Sequence, residues 1–203
     1  MLTIYHAPNT RSVRVVMLAE ELGLPYELKT LAFDPKDLQS EEYLALHPLG
    51  QVPTIDDDGF VMNESGAITE YLLAKYGNGR LVPELGTHDY ARYLYWLHFA
   101  ESSFMPPLGA IAQHAFIRPE DQRIPQVLQE SQSRALQILF LVDQALSGRE
   151  FIVGDSLTGA DTMLVYNLHL TKLFGMLGDD TPNAARYYEA IAARPSFQKA
   201  SAA

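Results

Sequence analysis

The feature that most constrains this chain is a change of period part-way along it. Up to Tyr76 short alternating and helical stretches follow one another, whereas from His88 onward the patterned stretches all repeat at helical spacing. Gly77-Asn78-Gly79 marks the change, so the chain reads as residues 1–77, a linker at 78–87 and an all-α part at 88–203. In the first part Leu2 to Tyr5 alternates as a strand, and after the Pro8-Asn9-Thr10 turn residues 11–22 repeat helically until Gly23 supplies a stop. Tyr26 to Leu31 is a second strand, and Ser40 to Leu46 is a short helix ended by His47-Pro48. Val52 to Ile55 and Phe60 to Met62 are β-rich runs around Asp56-Asp57-Asp58-Gly59, a hairpin composition, and residues 65–76 form a helix.

The resulting βαβ-ββα order predicts an α+β domain with a mixed four-stranded sheet, the thioredoxin-like arrangement. Beyond it the spacing predicts helices at 88–114, 124–146, 159–175 and 183–193, with a frayed alanine-rich end at 200–203. A net charge of -10 over 203 residues sets nucleic acid and anionic lipid aside as partners. No apolar run approaches the roughly 20 residues that span a bilayer, and the first six residues lack a leader's basic flank, so the expected location is cytoplasmic. There is no cysteine, so any sulfur chemistry must use a sulfur brought by a ligand. The six histidines show no metal-binding spacing and read as structural or surface residues, and no metal is expected.

Two segments point to a ligand. In Gln51-Val52-Pro53-Thr54-Ile55 a proline heads an otherwise good strand and removes a ladder donor. A cis Val52-Pro53 bond would turn the chain and leave Val52's amide and carbonyl free to pair with an extended ligand. The plainer alternative is a trans proline on an edge strand. In Asn63-Glu64-Ser65-Gly66, Ser65 suits a helix cap; beyond capping, its hydroxyl and the first helical amides can hold a ligand carboxylate while Glu64 takes an adjacent ammonium.

The run V-P-T-I followed by E-S-G-A-I-T-E-Y-L resembles the glutathione-site signature of glutathione S-transferases. The similarity takes in the whole first part, including Tyr5 to Val15 and Glu20 to Tyr26, and continues to Thr158-x-x-Asp161, which matches the family's structural capping box. The resemblance implies glutathione as co-substrate, a homodimer, and a small hydrophobic electrophile lying between the domains near Tyr93, Trp96, Phe104, Met105 and Pro106. It places Gln51 near the glycyl end of glutathione, with Lys36 a looser candidate, and Val52, Pro53, Glu64 and Ser65 along the tripeptide.

A thiol with pKa near about 8.5 is only a few per cent ionised at neutral pH, and one hydrogen bond to the ionised sulfur supplies about 1.5 to 3 kcal/mol, so a single donor suffices. In the family that donor is a tyrosine on the first strand or a serine or cysteine in the next loop. Thr10-Arg11-Ser12-Val13-Arg14-Val15 resembles S-R-S-x-R-V, which makes Thr10 the favoured donor. Asn9 and Ser12 are alternatives, Arg11 can assist the anion, and Tyr5 is either a donor or ordinary strand packing. The function implied is glutathione transfer to an electrophilic carbon. A glutathione-dependent disulfide or peroxide reductase and a non-catalytic glutathione-binding stress-response protein are the alternatives.

Overall fold

The computed structural model describes residues 1–203. The chain runs β1 (Leu2–His6), α1 (Ser12–Leu22), β2 (Tyr26–Thr30), α2 (Pro35–Leu38), α3 (Glu41–Leu46), β3 (Thr54–Asp57), β4 (Phe60–Asn63) and α4 (Ser65–Tyr76). The sheet order is β2-β1-β3-β4, with β1 parallel to β2 and β3 antiparallel to both its neighbours. This is the mixed four-stranded sheet that the sequence predicts. Each residue of α1 from Ser12 to Ala19 is buried, because β1 and α4 cover it and a later helix closes the remaining side. Gly23 ends α1 at φ 66°, a left-handed conformation that glycine adopts without a Cβ clash, and its amide donates back to Glu20 O.

The hairpin differs from the sequence reading by two residues. Asp56 and Asp57 belong to β3, and the turn itself is Asp58-Gly59, both at positive φ as a two-residue turn requires. Asp57 is drawn into the ladder because its carboxylate has donors waiting inside: Tyr71 at 2.8 Å, Lys75 Nζ at 2.6 Å and Tyr76 at 2.7 Å, all from α4. The short α2 escaped the periodicity argument, since one turn carries no period; Asp34 starts it by accepting from the Asp37 amide.

The helical part contains α5 (His88–Phe99), α6 (Met105–Ala112), α7 (Pro125–Ala145), α8 (Gly159–Leu173), α9 (Pro182–Ala192) and α10 (Pro195–Ala202). The single helix expected over 88–114 is interrupted: π-helical turns occupy Ala100–Phe104 and Gln113–Ile117. Pro106 and Pro107 explain the first, because two consecutive residues without N–H would leave carbonyls one turn earlier unpaired and clash with them, and widening the turn relieves both. At α8 the Asp161 carboxylate accepts from the Thr158 amide at 2.7 Å, and also from Ile152 N and the Tyr187 hydroxyl. Burial raises the Asp161 carboxyl above its usual range despite these donors.

The compact units divide the chain differently from the expected 1–77, 78–87 and 88–203. One unit is Met1–Glu84 together with Ala192–Ala203, and the other is Leu85–Ile191. The end expected to fray is instead α10, packed on α1. Glu21 accepts two hydrogen bonds from the Arg194 guanidinium, at 2.7 and 2.8 Å, and one from Ser196, while Glu20 accepts from Lys199 at 2.7 Å. Phe197 and Ala200 are buried beside these pairs, and an eight-residue helix with one large apolar side chain is too short a run to show a period in sequence.

Candidate functional site

The candidate residues of the first unit lie on three segments: the loop from β1 into α1, the entry to β3, and the start of α4. At the β3 entry the Val52-Pro53 bond is cis. The ladders on both sides of β3 stop at Thr54, so Val52 lies beyond the paired residues. Gln51 is exposed, whereas Val52 and Pro53 are buried. The segment is held from beneath: Tyr43 donates to Gln51 O at 2.6 Å and meets Thr54 Oγ1 at 2.9 Å, and Thr54 in turn donates to Asn63 Oδ1 at 2.8 Å. Gly50 precedes it at φ 59°, and a Cβ there would sit 2.3 Å from Leu38 O, so only glycine permits the approach.

At α4 the sequence expectation needs correcting. Ser65 is the first helical residue and not the cap; the cap position is Glu64, at φ 73° and ψ 110°, and no side chain caps the helix's first amides. Instead, Ser65 Oγ accepts a hydrogen bond from Arg14 Nη1 at 3.1 Å. The helix spans Ser65–Tyr76 as the spacing predicts, and it is only the serine's role that differs: its hydroxyl meets Arg14, arriving from α1, in place of a first-turn amide. Glu64 is exposed and held in a backbone region that non-glycine residues rarely occupy, a cost of order 1–3 kcal/mol that concentrates at functional sites. His47 feels the Glu64 charge, yet burial wins and holds its imidazole below the ordinary value.

In the β1–α1 loop the structure brings Thr10 and Ser12 together, with their hydroxyls 2.7 Å apart. Thr10 donates to Ala7 O at 2.7 Å, and Ser12 Oγ accepts from the Ala7 amide at 3.1 Å and meets His6 Nδ1 at 2.8 Å. Both residues are buried, so these hydroxyls are turned into the loop. Thr10, the favoured donor from sequence, thus has its proton placed on Ala7. Asn9 is exposed and stands at φ 57°, a left-handed conformation that asparagine tolerates better than most residues. Arg11 is half-buried and begins α1 as its cap residue. The Tyr5 ring packs 5.7 Å from that of Tyr43 and takes the Lys29 ammonium over its face. Lys36 is exposed on α2. In the second unit Tyr93, Trp96, Phe104 and Met105 are buried, and Pro106 is exposed.

Sequence reasoning missed His6, Arg14, Tyr43 and His47. For Arg14 a signal existed: a charge between Val13 and Val15, inside a run of apolar helix positions, has to be buried and hydrogen-bonded. Of the other three, His6 meets Ser12 and the Ala203 carbonyl, Tyr43 reaches Gln51 and Thr54, and His47 accepts from the Leu49 amide, pairings that no spacing in the sequence marks.

The geometry can be set beside known proteins. Residues 1–74 match the family model for the glutathione S-transferase N-terminal domain, and residues 104–195 match that for the C-terminal domain. Glutathione S-transferase hmp2 of Hypomyces subiculosus is 31% identical over 207 aligned positions, which cover 97% of this chain and 95% of that protein. The chain belongs to the glutathione S-transferase family. A family member from Pseudomonas fluorescens Pf-5, crystallised with two glutathione bound, is 27% identical, with TM-score 0.86 over 98% of this chain and 91% of that one. A glutathione transferase homologue from Lodderomyces elongisporus reaches TM-score 0.90 over 99% and 97% of the two chains, and at 23% identity it supports the fold alone. Within the family's architecture, no helix of this member is long and apolar enough to cross a membrane.

Proposed function

We propose that this family member is a glutathione transferase, acting as a homodimer, that ionises the glutathione thiol for attack on an electrophilic carbon of a small apolar substrate. The observation that carries the reading is the strained backbone at Glu64, exposed beside a helix start whose amides no side chain caps. Strain of this kind is retained where it serves a ligand, and uncapped amides suit a carboxylate. Glutathione would run antiparallel to Val52, with its α-carboxylate at Ser65 and the α4 amides, its ammonium at Glu64 and its glycyl end toward Gln51. Its sulfur would then meet the β1–α1 loop. Asn9 is the better donor there, because its side chain is exposed whereas the Thr10 hydroxyl is spent on Ala7. Thr10 and Ser12 hold the loop in shape.

A glutathione-dependent disulfide reductase is the second reading, favoured by the absence of cysteine, which leaves glutathione to supply each sulfur, and by the relative from Pseudomonas fluorescens crystallised with two glutathione bound. The test is to titrate the full chain with glutathione by calorimetry and to follow thiolate absorbance against pH. Binding with a thiol pKa at least about one unit below the free value of about 8.5 is expected. Binding without that depression would end the transferase reading. Turnover of a chlorinated arene against a disulfide substrate separates the two enzymes.

A further inference from the structure

His6 has no solvent exposure and ends β1 at the loop that carries Asn9, Thr10 and Ser12. Both of its ring nitrogens are engaged. Nε2 lies 3.2 Å from the Ala203 carbonyl oxygen, just past α10, and Nδ1 lies 2.8 Å from Ser12 Oγ. From Ser12 the contacts run on to Thr10 Oγ1 at 2.7 Å, and from Thr10 to Ala7 O at 2.7 Å. A carbonyl oxygen only accepts, so this chain ends on an acceptor at both sides, and every contact along it holds a hydrogen only if one member donates in both directions. Each hydroxyl brings one proton and a neutral imidazole brings one N–H, so a neutral ring leaves one contact with two acceptors face to face. Inside a buried network such an unfilled contact is costly. An imidazolium, with a proton on each nitrogen, fills them all. Burial lowers the ring's proton affinity, the Ala203 oxygen raises it, and no ionised side chain contributes. On the surrounding elements Lys29 of β2 lies over the Tyr5 ring, Arg11 stands at the start of α1, Arg14 of α1 meets Ser65, Asp57 of β3 is bound by α4, and Lys199 of α10 meets Glu20.

We infer that His6 is a proton-operated positioning residue: with both nitrogens protonated it ties Ala203 through Ser12 and Thr10 to Ala7 in one unbroken chain, and on losing a proton it breaks that chain and loosens the β1–α1 loop. The inference goes beyond the functional reading and holds for the chain without ligand; on that reading, the loop it grips is the one that presents Asn9 to the sulfur. A histidine that merely filled space beside the sheet would titrate without reference to Thr10, with which it shares no hydrogen bond.

The test follows the His6 ring nitrogens by heteronuclear NMR against pH in the full, ligand-free chain. Below the midpoint both nitrogens are expected to bear protons, and the Ala7, Thr10 and Ser12 amide resonances should move with that same midpoint. Thr10→Val keeps the shape of the residue and removes the hydroxyl. Ser12 can then donate to Nδ1 while Nε2–H serves Ala203, so the neutral ring no longer faces an empty contact. The His6 midpoint is expected to fall by at least about half a pH unit in this variant. A Thr10→Val midpoint equal to that of the wild type overturns the inference. So do, in the wild type alone, loop amides that stay fixed while the ring titrates, or a ring that stays neutral until the chain unfolds. With no glutathione present, the outcome is independent of the calorimetric test of the functional reading.

Discussion

A hydroxyl has a single proton, and where that proton goes decides what the residue can do. Thr10 has the residue type that thiol activation needs, and the sequence makes that much plain. Its direction is set by the Ala7 carbonyl 2.7 Å away, a contact that exists only once β1 and α1 are formed. Asn9 is its neighbour, exposed and left-handed. Replacing Asn9 with glycine keeps that φ without strain and removes only the side chain. The expected result is a bound-thiol pKa raised by about one to two units and turnover lowered roughly tenfold to a hundredfold, at unchanged melting temperature. Thr10→Val should do the reverse, costing about 1 kcal/mol of stability through the lost bond to Ala7 while leaving the thiol pKa near its wild-type value. Thiolate absorbance and thermal melts on the two variants decide which residue faces the sulfur.

Elements were legible wherever a period ran long enough to show. The four strands, α1, α4 and the helices from α5 to α9 follow from alternation and helical spacing. The failures have physical causes: α2 is a single turn, the first π-helical turn answers to Pro106-Pro107, and α10 carries one large apolar residue, Phe197, too few to show a period. The hairpin is instructive too, since three successive aspartates look like loop until α4 supplies partners for the middle one. For Asp57, burial would lift the carboxyl, but Lys75, Tyr76 and Tyr71 together outweigh it and hold the group below the ordinary range. Asp57→Ala should therefore cost about 2 kcal/mol in a denaturant titration, by stripping β3 of its bonds to α4. A loss within error of zero would mean that the three donors find water at no cost.

Across the whole molecule, the histidines set the response to acid. Burial holds His6, His47 and His169 below the ordinary 6.5, so each binds a proton less readily folded than unfolded. Between their lowered values and 6.5 the unfolded chain carries more protons, and stability must fall as pH drops through that window. Glu20, Glu21 and Asp57, whose hydrogen-bonding partners outweigh burial and lower them, extend the loss below about pH 4.5, while the raised Asp161 opposes it. Thermal midpoints should be level above about pH 7 and decline below it; a midpoint that climbs on acidification to about pH 5 would contradict the assignment. The return of residues 192–203 to α1 also orders events in time. On the ribosome, the sheet and its helices emerge early but wait through the synthesis of more than half the chain for the helix that completes them. The unit that begins first is the one that finishes last.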